Sequence, residues 1–223
     1  MSDYVKEIIT DEGALDGRCD EIDPKKQGKL LQEIILSLKN TMRENNLTSL
    51  TAPQIGYKHR VFCVKFGPND YRTFINPVMQ NIEGLQLNRE KCSSIPDKQF
   101  ILPRYNSMII IYQTPLGEIR SNAVKGKTAM LLQHCVDHLD GLLISYVGLE
   151  VLDGFDDMAD EEKDEVIKMY LESLDIKLKY LQEEIKKDPE LSKLDDAIKF
   201  MGAASKGEIN FEPADEPATT SEN

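Results

Sequence analysis

No stretch of this chain approaches the ~18 uninterrupted apolar residues that a membrane-spanning helix needs, so such a span is excluded. The first ten residues, MSDYVKEIIT, lack the basic segment and apolar block of a secretory signal, and they are too acidic for a transit peptide. Basic residues are also in deficit. Lys and Arg number 27 against 39 Asp and Glu, a net charge of −12, which argues against a surface built to grip phosphate backbones. Only four cysteines occur, Cys19, Cys63, Cys92 and Cys135, at wide spacings that suit free thiols or metal ligands better than a disulfide framework. These absences lead us to expect an intracellular, cytoplasmic chain with no membrane and no nucleic-acid partner.

What is present is globular. Of the 223 residues, 40% are apolar and 30% charged, a balance that excludes wholesale disorder and suits one domain with an extension. The charge is unevenly placed: residues 1–150 hold 18 acids and 18 bases, whereas residues 151–223 hold 21 acids and 9 bases. That shift marks a domain edge near residue 150. The expected organisation is a domain over 1–150, an acidic connector over 151–165, a helical extension over 166–201 and an acidic tail rich in Pro, Glu and Thr over 202–223.

Within the domain, Leu30-Leu31, Ile34-Ile35, Leu38 and Met42 recur at three and four and predict a helix. Residues 60–66, 72–76, 107–113 and 118–123 read as strands, with Thr114-Pro115-Leu116-Gly117 as a hairpin turn. Lys127 to Leu139 reads as a second helix, stopped by Gly141. Helix, mostly antiparallel strands, then helix is an α+β order. In the extension, Ile167, Leu171, Leu174, Leu178, Leu181 and Ile185 form an apolar seam on a long helix. Asp188-Pro189 breaks it, and Leu191, Leu194, Ile198 and Met201 restart the stepping. The seam covers about two and a half heptads, too few for a firm coiled coil. Either the domain covers it or, as expected here, a protein partner or a second copy does.

Two of only three histidines, His134 and His138, stand at i and i+4, which puts both imidazoles on one helix face. A helix presents two nitrogen ligands to one metal ion at this spacing, and an open catalytic site needs a third protein ligand. Cys92 is the candidate, because Arg89-Glu90-Lys91-Cys92-Ser93-Ser94-Ile95-Pro96 reads as a polar loop. Asp137 and Asp140 are near enough in sequence to hold an imidazole N–H. Cys63, inside the apolar run Val61 to Phe66, and Cys19 read as small buried hydrophobes.

Gln133-His134-Cys135-Val136-Asp137-His138-Leu139-Asp140-Gly141 resembles the third motif of peptide deformylases, QHExDHLxG, with one replacement. Glu90-Lys91-Cys92-Ser93-Ser94, with Ile95-Pro96 and later Pro103-Arg104-Tyr105, is similar to their second motif, EGCLS, and its sequel. Leu50-Thr51-Ala52-Pro53-Gln54-Ile55-Gly56 resembles the first, GxGLAAPQIG, from its fourth position, and Ile75-Asn76-Pro77 also fits. The resemblance implies an α+β fold of mostly antiparallel sheets around a metal-binding central helix, here with a C-terminal helical extension. It implies a hydrolase that removes N-formyl groups from new polypeptides with a divalent metal, Fe2+ or Zn2+. Cys92, His134 and His138 would be its ligands, with Gln54 and the backbone N–H of Ser93 as oxyanion donors.

The departures bear on activity. Cys135 stands where the family has the Glu that shuttles the proton, and a thiol two heavy atoms shorter is a poor substitute. Lys91 and Ser93 replace Gly and Leu of the second motif, and Leu47 and Ser49 replace glycines of the first. The expectation is therefore a catalytically impaired deformylase-like protein, its metal site kept or lost, that serves in a larger assembly. Such sequences also occur in phages, which adds a viral particle to the expected locations. A working deformylase with an atypical base is the alternative. A closed Cys₂His₂ zinc site including Cys135 ranks last, since adjacent residues diverge by about 100° around a helix.

Overall fold

The computed structural model describes residues 4–187, with side chains to residue 179 apart from Leu178. One helical turn, α1 (Glu12–Leu15), precedes α2 (Gly28–Glu44), whose stripe Leu31, Ile34, Leu38 and Met42 is buried. That stripe packs on β1 (Ser49–Thr51) and β2 (Val61–Lys65) through Leu50, Val61 and Cys63. A single 3₁₀ turn, Pro53–Ile55, lies between the two strands and buries Gln54. The chain then runs through β3 (Tyr71–Cys92), β4 (Ile95–Gln113) and β5 (Ile119–Lys125), with the short β6 (Leu149–Glu150) later. All pair antiparallel in one sheet, ordered β1-β2-β3-β4-β5, with β6 added to β4.

The expected strands 72–76 and 107–113 are the base of a much longer β3–β4 hairpin. Its register shifts between Ile75 and Val78 and between Gln80 and Glu83, beside the left-handed Asn76 (φ 49°) and Asn81 (φ 49°). Bulges of this kind break the two-residue period and bend the strand, which hid its continuation from the sequence. Asn76 also ties the N-terminal segment down: its Nδ2 donates to the Ile22 carbonyl and to Gln113 Oε1, both at 2.8 Å, and its Oδ1 accepts from the Ile22 N–H at 3.0 Å. The segment read as a polar loop is the hairpin tip. Cys92 ends β3, Ser93 and Ser94 form the turn, and Ile95 begins β4. Cys92 and Ile95 are buried against Leu15, Leu143 and Ile144, so the tip is a packed feature rather than a solvated loop.

The second expected helix is α3 (Gly126–Leu139), followed by the single turn α4 (Ile144–Val147). Leu132, Cys135, Val136 and Leu139 of α3 pack on Phe62, Phe74, Met108 and Ile110 of the sheet. Gln133 pins the helix to β4: its Oε1 accepts from the Tyr105 N–H at 2.9 Å, and its Nε2 donates to the Tyr105 carbonyl at 2.7 Å. Gly141 ends this region with φ 73°, and a Cβ there would come 2.5 Å from the Gly17 amide nitrogen. Only glycine permits that close approach.

The acidic run read as a connector contains the start of a helix. α5 (Asp160–Lys187) begins six residues before the expected 166, with Asp160, Glu161 and Glu162 in its first turn. Carboxylates there oppose the positive end of the helix dipole, and Glu162 accepts from the Ala159 N–H at 3.2 Å. Ahead of it, Phe155 is buried with Ile101 and Ile167. Leu174 is buried with Phe100, Leu102 and Val147, and the Tyr170 hydroxyl donates to the Val147 carbonyl at 2.6 Å. The described part of the seam is thus covered by the domain. The expectations for Leu178, Leu181 and Ile185, for the helix Leu191 to Met201 and for the tail lie outside the described residues or side chains. Among the described residues, no helix is long and apolar enough to cross a membrane.

Candidate metal centre and cleft

Three segments far apart in sequence converge: the 3₁₀ turn with Gln54, the hairpin tip with Cys92, and α3 with His134 and His138. Ligand atoms of Cys92, His134 and His138 all lie within 4.8 Å of one another, and all three residues are buried. The Cys92 Sγ stands 3.2 Å from His138 Nε2, close to the ~3.5 Å that separates two ligands of one tetrahedral zinc ion. His134 bonds Glu90 Oε2 through Nδ1 at 2.9 Å. An ionised carboxylate only accepts, so Nδ1 carries the proton and Nε2 is left for a metal. This donor set, one thiolate sulfur and two imidazole nitrogens, fits an iron- or zinc-type ion.

The acid that holds His134 is not one of those the sequence suggested. Asp137 instead accepts from Arg104 Nη1 at 2.6 Å, and Asp140 accepts from Arg60 Nη1 at 2.5 Å. Asp137 and Asp140 are one turn or two from His134 along the helix, whereas Glu90 reaches it from the neighbouring strand. Arg104 also donates to Glu90, from Nε at 2.7 Å and Nη2 at 3.0 Å, so a buried guanidinium joins both carboxylates. Burial alone would raise the Glu90 pKa, but the Arg104 charge and the His134 and Arg104 hydrogen bonds outweigh it and hold the carboxyl well below its usual range. Burial disfavours the His134 cation, yet its bonds to Cys92 and Glu90 raise its pKa on balance. Burial lowers the His138 pKa well below the ordinary histidine value, and its Nδ1 makes no hydrogen bond. The motif residue Glu90 and the later Arg104 were visible in sequence; their pairing required the fold.

Gln54, the expected oxyanion donor, lies beside Cys92 with its amide engaged. Nε2 donates to Ser93 Oγ and Ser94 Oγ, both at 3.1 Å, and approaches Cys92 Sγ at 3.8 Å. Oε1 accepts from the Thr51 N–H at 3.0 Å and its hydroxyl at 2.9 Å, which fixes the amide orientation. Ser93, replacing an apolar residue of the resembled motif, is therefore a side-chain partner of Gln54.

A cleft of about 1240 Å³ opens beside this centre, lined by Gln54, Glu90, Cys92, Ser93 and His134 among others. Cys135 is not in its wall. It is fully buried in the apolar cluster of Phe62, Phe74 and Met108, and it stands apart from the three-ligand group. Burial pushes its thiol up to about 12, a rise that a bond with Ser49 only moderates. The closed Cys₂His₂ arrangement is therefore not what the described residues form. Cys19 and Cys63 are free and buried, as expected of small hydrophobes.

The sequence profile of the Polypeptide deformylase family matches residues 5–147. A peptide deformylase of Dictyoglomus turgidum is 32% identical over 127 residues, covering 57% of this chain and 79% of that protein. The crystal structure of peptide deformylase from Thermotoga maritima superposes with a TM-score of 0.59 at 28% identity, over 64% of this chain and 96% of that one. The Met-Ala-Ser-bound class I type b peptide deformylase of Acinetobacter baumannii gives 0.59 at 25% identity, over 66% and 99%.

Proposed function

Since the chain belongs to the peptide deformylase family, we propose that it keeps the family's metal site and peptide cleft but hydrolyses N-formyl groups weakly or not at all. It would then act as a binding or structural component of a larger assembly, which includes a phage particle if the chain is phage-encoded. The observation that carries the loss of activity is the position of Cys135. The residue that should move a proton between water and the leaving amine is sealed in an apolar cluster outside the cleft wall.

No neighbouring carboxylate supplies the missing base. Of the two acids lining the cleft, Glu90 is engaged by Arg104 and His134, and Asp97 is solvent-exposed, outside the group of buried ligand atoms formed by Cys92, His134 and His138. A divalent metal held by Cys92, His134 and His138 would supply a Lewis acid and an acidified water. Gln54 and the Ser93 backbone would face the developing oxyanion, but an incoming oxygen must first displace Ser93 or Ser94 from the Gln54 amide. Glu90 holds His134 in one tautomer and ring orientation.

The test is turnover of formyl-Met-Ala-Ser by the full chain, loaded with Fe(II) without oxygen and with zinc as a control, beside the Dictyoglomus turgidum relative. Loss of a positioned acid–base predicts a rate at least ~10²-fold lower. A rate within about tenfold of the relative would overturn the proposal and return the chain to an ordinary deformylase using an atypical base.

A further inference from the structure

The cleft carries a charge opposite to that of the whole chain. In a protein of net charge −12, Lys65 of β2, Arg89 and Lys91 of β3, Lys98 of β4 and Lys127 of α3 all line it. The acids among the lining residues are Glu90 and Asp97, and the Glu90 charge is already taken up by Arg104 and His134. Arg89 pairs with Asp156 at 2.8 Å and Lys98 with Glu150 at 3.1 Å, both exposed contacts that hold their partners weakly. Among the described residues, Lys65 and Lys91 have no carboxylate partner. Lys91 is exposed beside Cys92, at a position where the resembled motif has glycine.

We infer that the cleft selects peptides with acidic side chains just after the N-terminal residue, with Lys65 and Lys91 setting that preference. The inference rests on the peptide-binding reading of this cleft proposed above. At about 1240 Å³ the cleft exceeds the ~300–1,000 Å³ typical of small-molecule sites, so it has room for several residues of an extended chain. Among the described acids of the C-terminal third, Asp156 meets the cleft at Arg89, while Lys65 and Lys91 keep no carboxylate partner. Clefts lined by one sign of charge also concentrate and steer ligands of the other sign.

The experiment measures equilibrium binding of three C-terminally amidated peptides, Met-Glu-Glu, Met-Ala-Ser and Met-Lys-Lys, to the full metal-loaded chain by calorimetry at 50 and 500 mM salt. Amidation leaves side-chain charge as the main difference. Met-Glu-Glu is expected to bind ~10-fold tighter than Met-Ala-Ser at low salt, Met-Lys-Lys weakest, and the gap to close at high salt. The double variant Lys65→Gln/Lys91→Gln should level the series, and because both side chains lie at the cleft surface its circular dichroism should match the parent. Equal binding of acidic and neutral peptides overturns the inference and leaves the cleft reading intact. A preference that survives the double variant overturns the assignment to these lysines. If none of the peptides binds, both readings fall together.

Discussion

At Cys135, a thiol stands where the resembled motif has a glutamate, and it sits in apolar surroundings. The thiol packs on Phe62, Phe74 and Met108. A glutamate there must reach out of this apolar cluster to the cleft or bury a charge without a partner. Cys135→Glu should therefore raise formyl-peptide turnover by less than ~10²-fold, and Cys135→Ala should leave whatever turnover exists unchanged. A large rescue by Cys135→Glu alone would show that the cleft is otherwise ready. Glu90 makes a different case, because it acts through His134. Glu90→Gln keeps the shape but weakens the Arg104 pairing and the acceptor that orients the imidazole, so metal affinity should fall about 10- to 100-fold in a competition titration with a chelator. No change in affinity would remove Glu90 from the metal site. The three ligand candidates were legible in sequence because helical spacing and motif order are local facts. The Glu90–Arg104–Asp137 network was not, since Asp137 is nearer His134 along the chain while Glu90 is bonded to it across the fold.

Among the elements, α2 was readable from its period and α3 from its stop at Gly141, whereas the start of α5 was not. Acidic residues signal both a solvated connector and a helix N-terminus, and only the buried Phe155, Ile167 and Leu174 distinguish the two. The upper halves of β3 and β4 were missed for another reason. Bulges at Asn76 and Asn81 interrupt the alternation on which strand recognition depends. The packing of α5 yields its own test. Leu174 is 3% exposed among Phe100, Leu102 and Val147, so Leu174→Ala should cost about 2–4 kcal/mol in denaturant unfolding. Met169→Ala, on the exposed side of the same helix, should cost under about 0.5 kcal/mol. Equal small effects would mean that α5 is only loosely attached and is available to a partner.

At the scale of the whole molecule, buried thiols couple stability to alkaline pH. Burial pushes Cys19 and Cys63 up to about 11 from 9.0. A group that ionises later in the folded chain than in the unfolded one contributes stability that is complete below 9.0 and is lost as pH rises through 11. The denaturation midpoint should fall across that window, and Cys19→Ala/Cys63→Ala should flatten the fall; an unchanged slope would place the titrating groups elsewhere. The hairpin tip has a consequence for how the chain reaches this state. Cys92 is at once a ligand candidate and the last residue of β3, so a slip of one residue between β3 and β4 turns its sulfur to the opposite face of the sheet. A mispaired chain can collapse and still present two imidazoles, but it cannot close the three-donor set. Metal added during refolding should then act as a proofreader, raising the final yield of native protein while leaving the initial collapse rate unchanged.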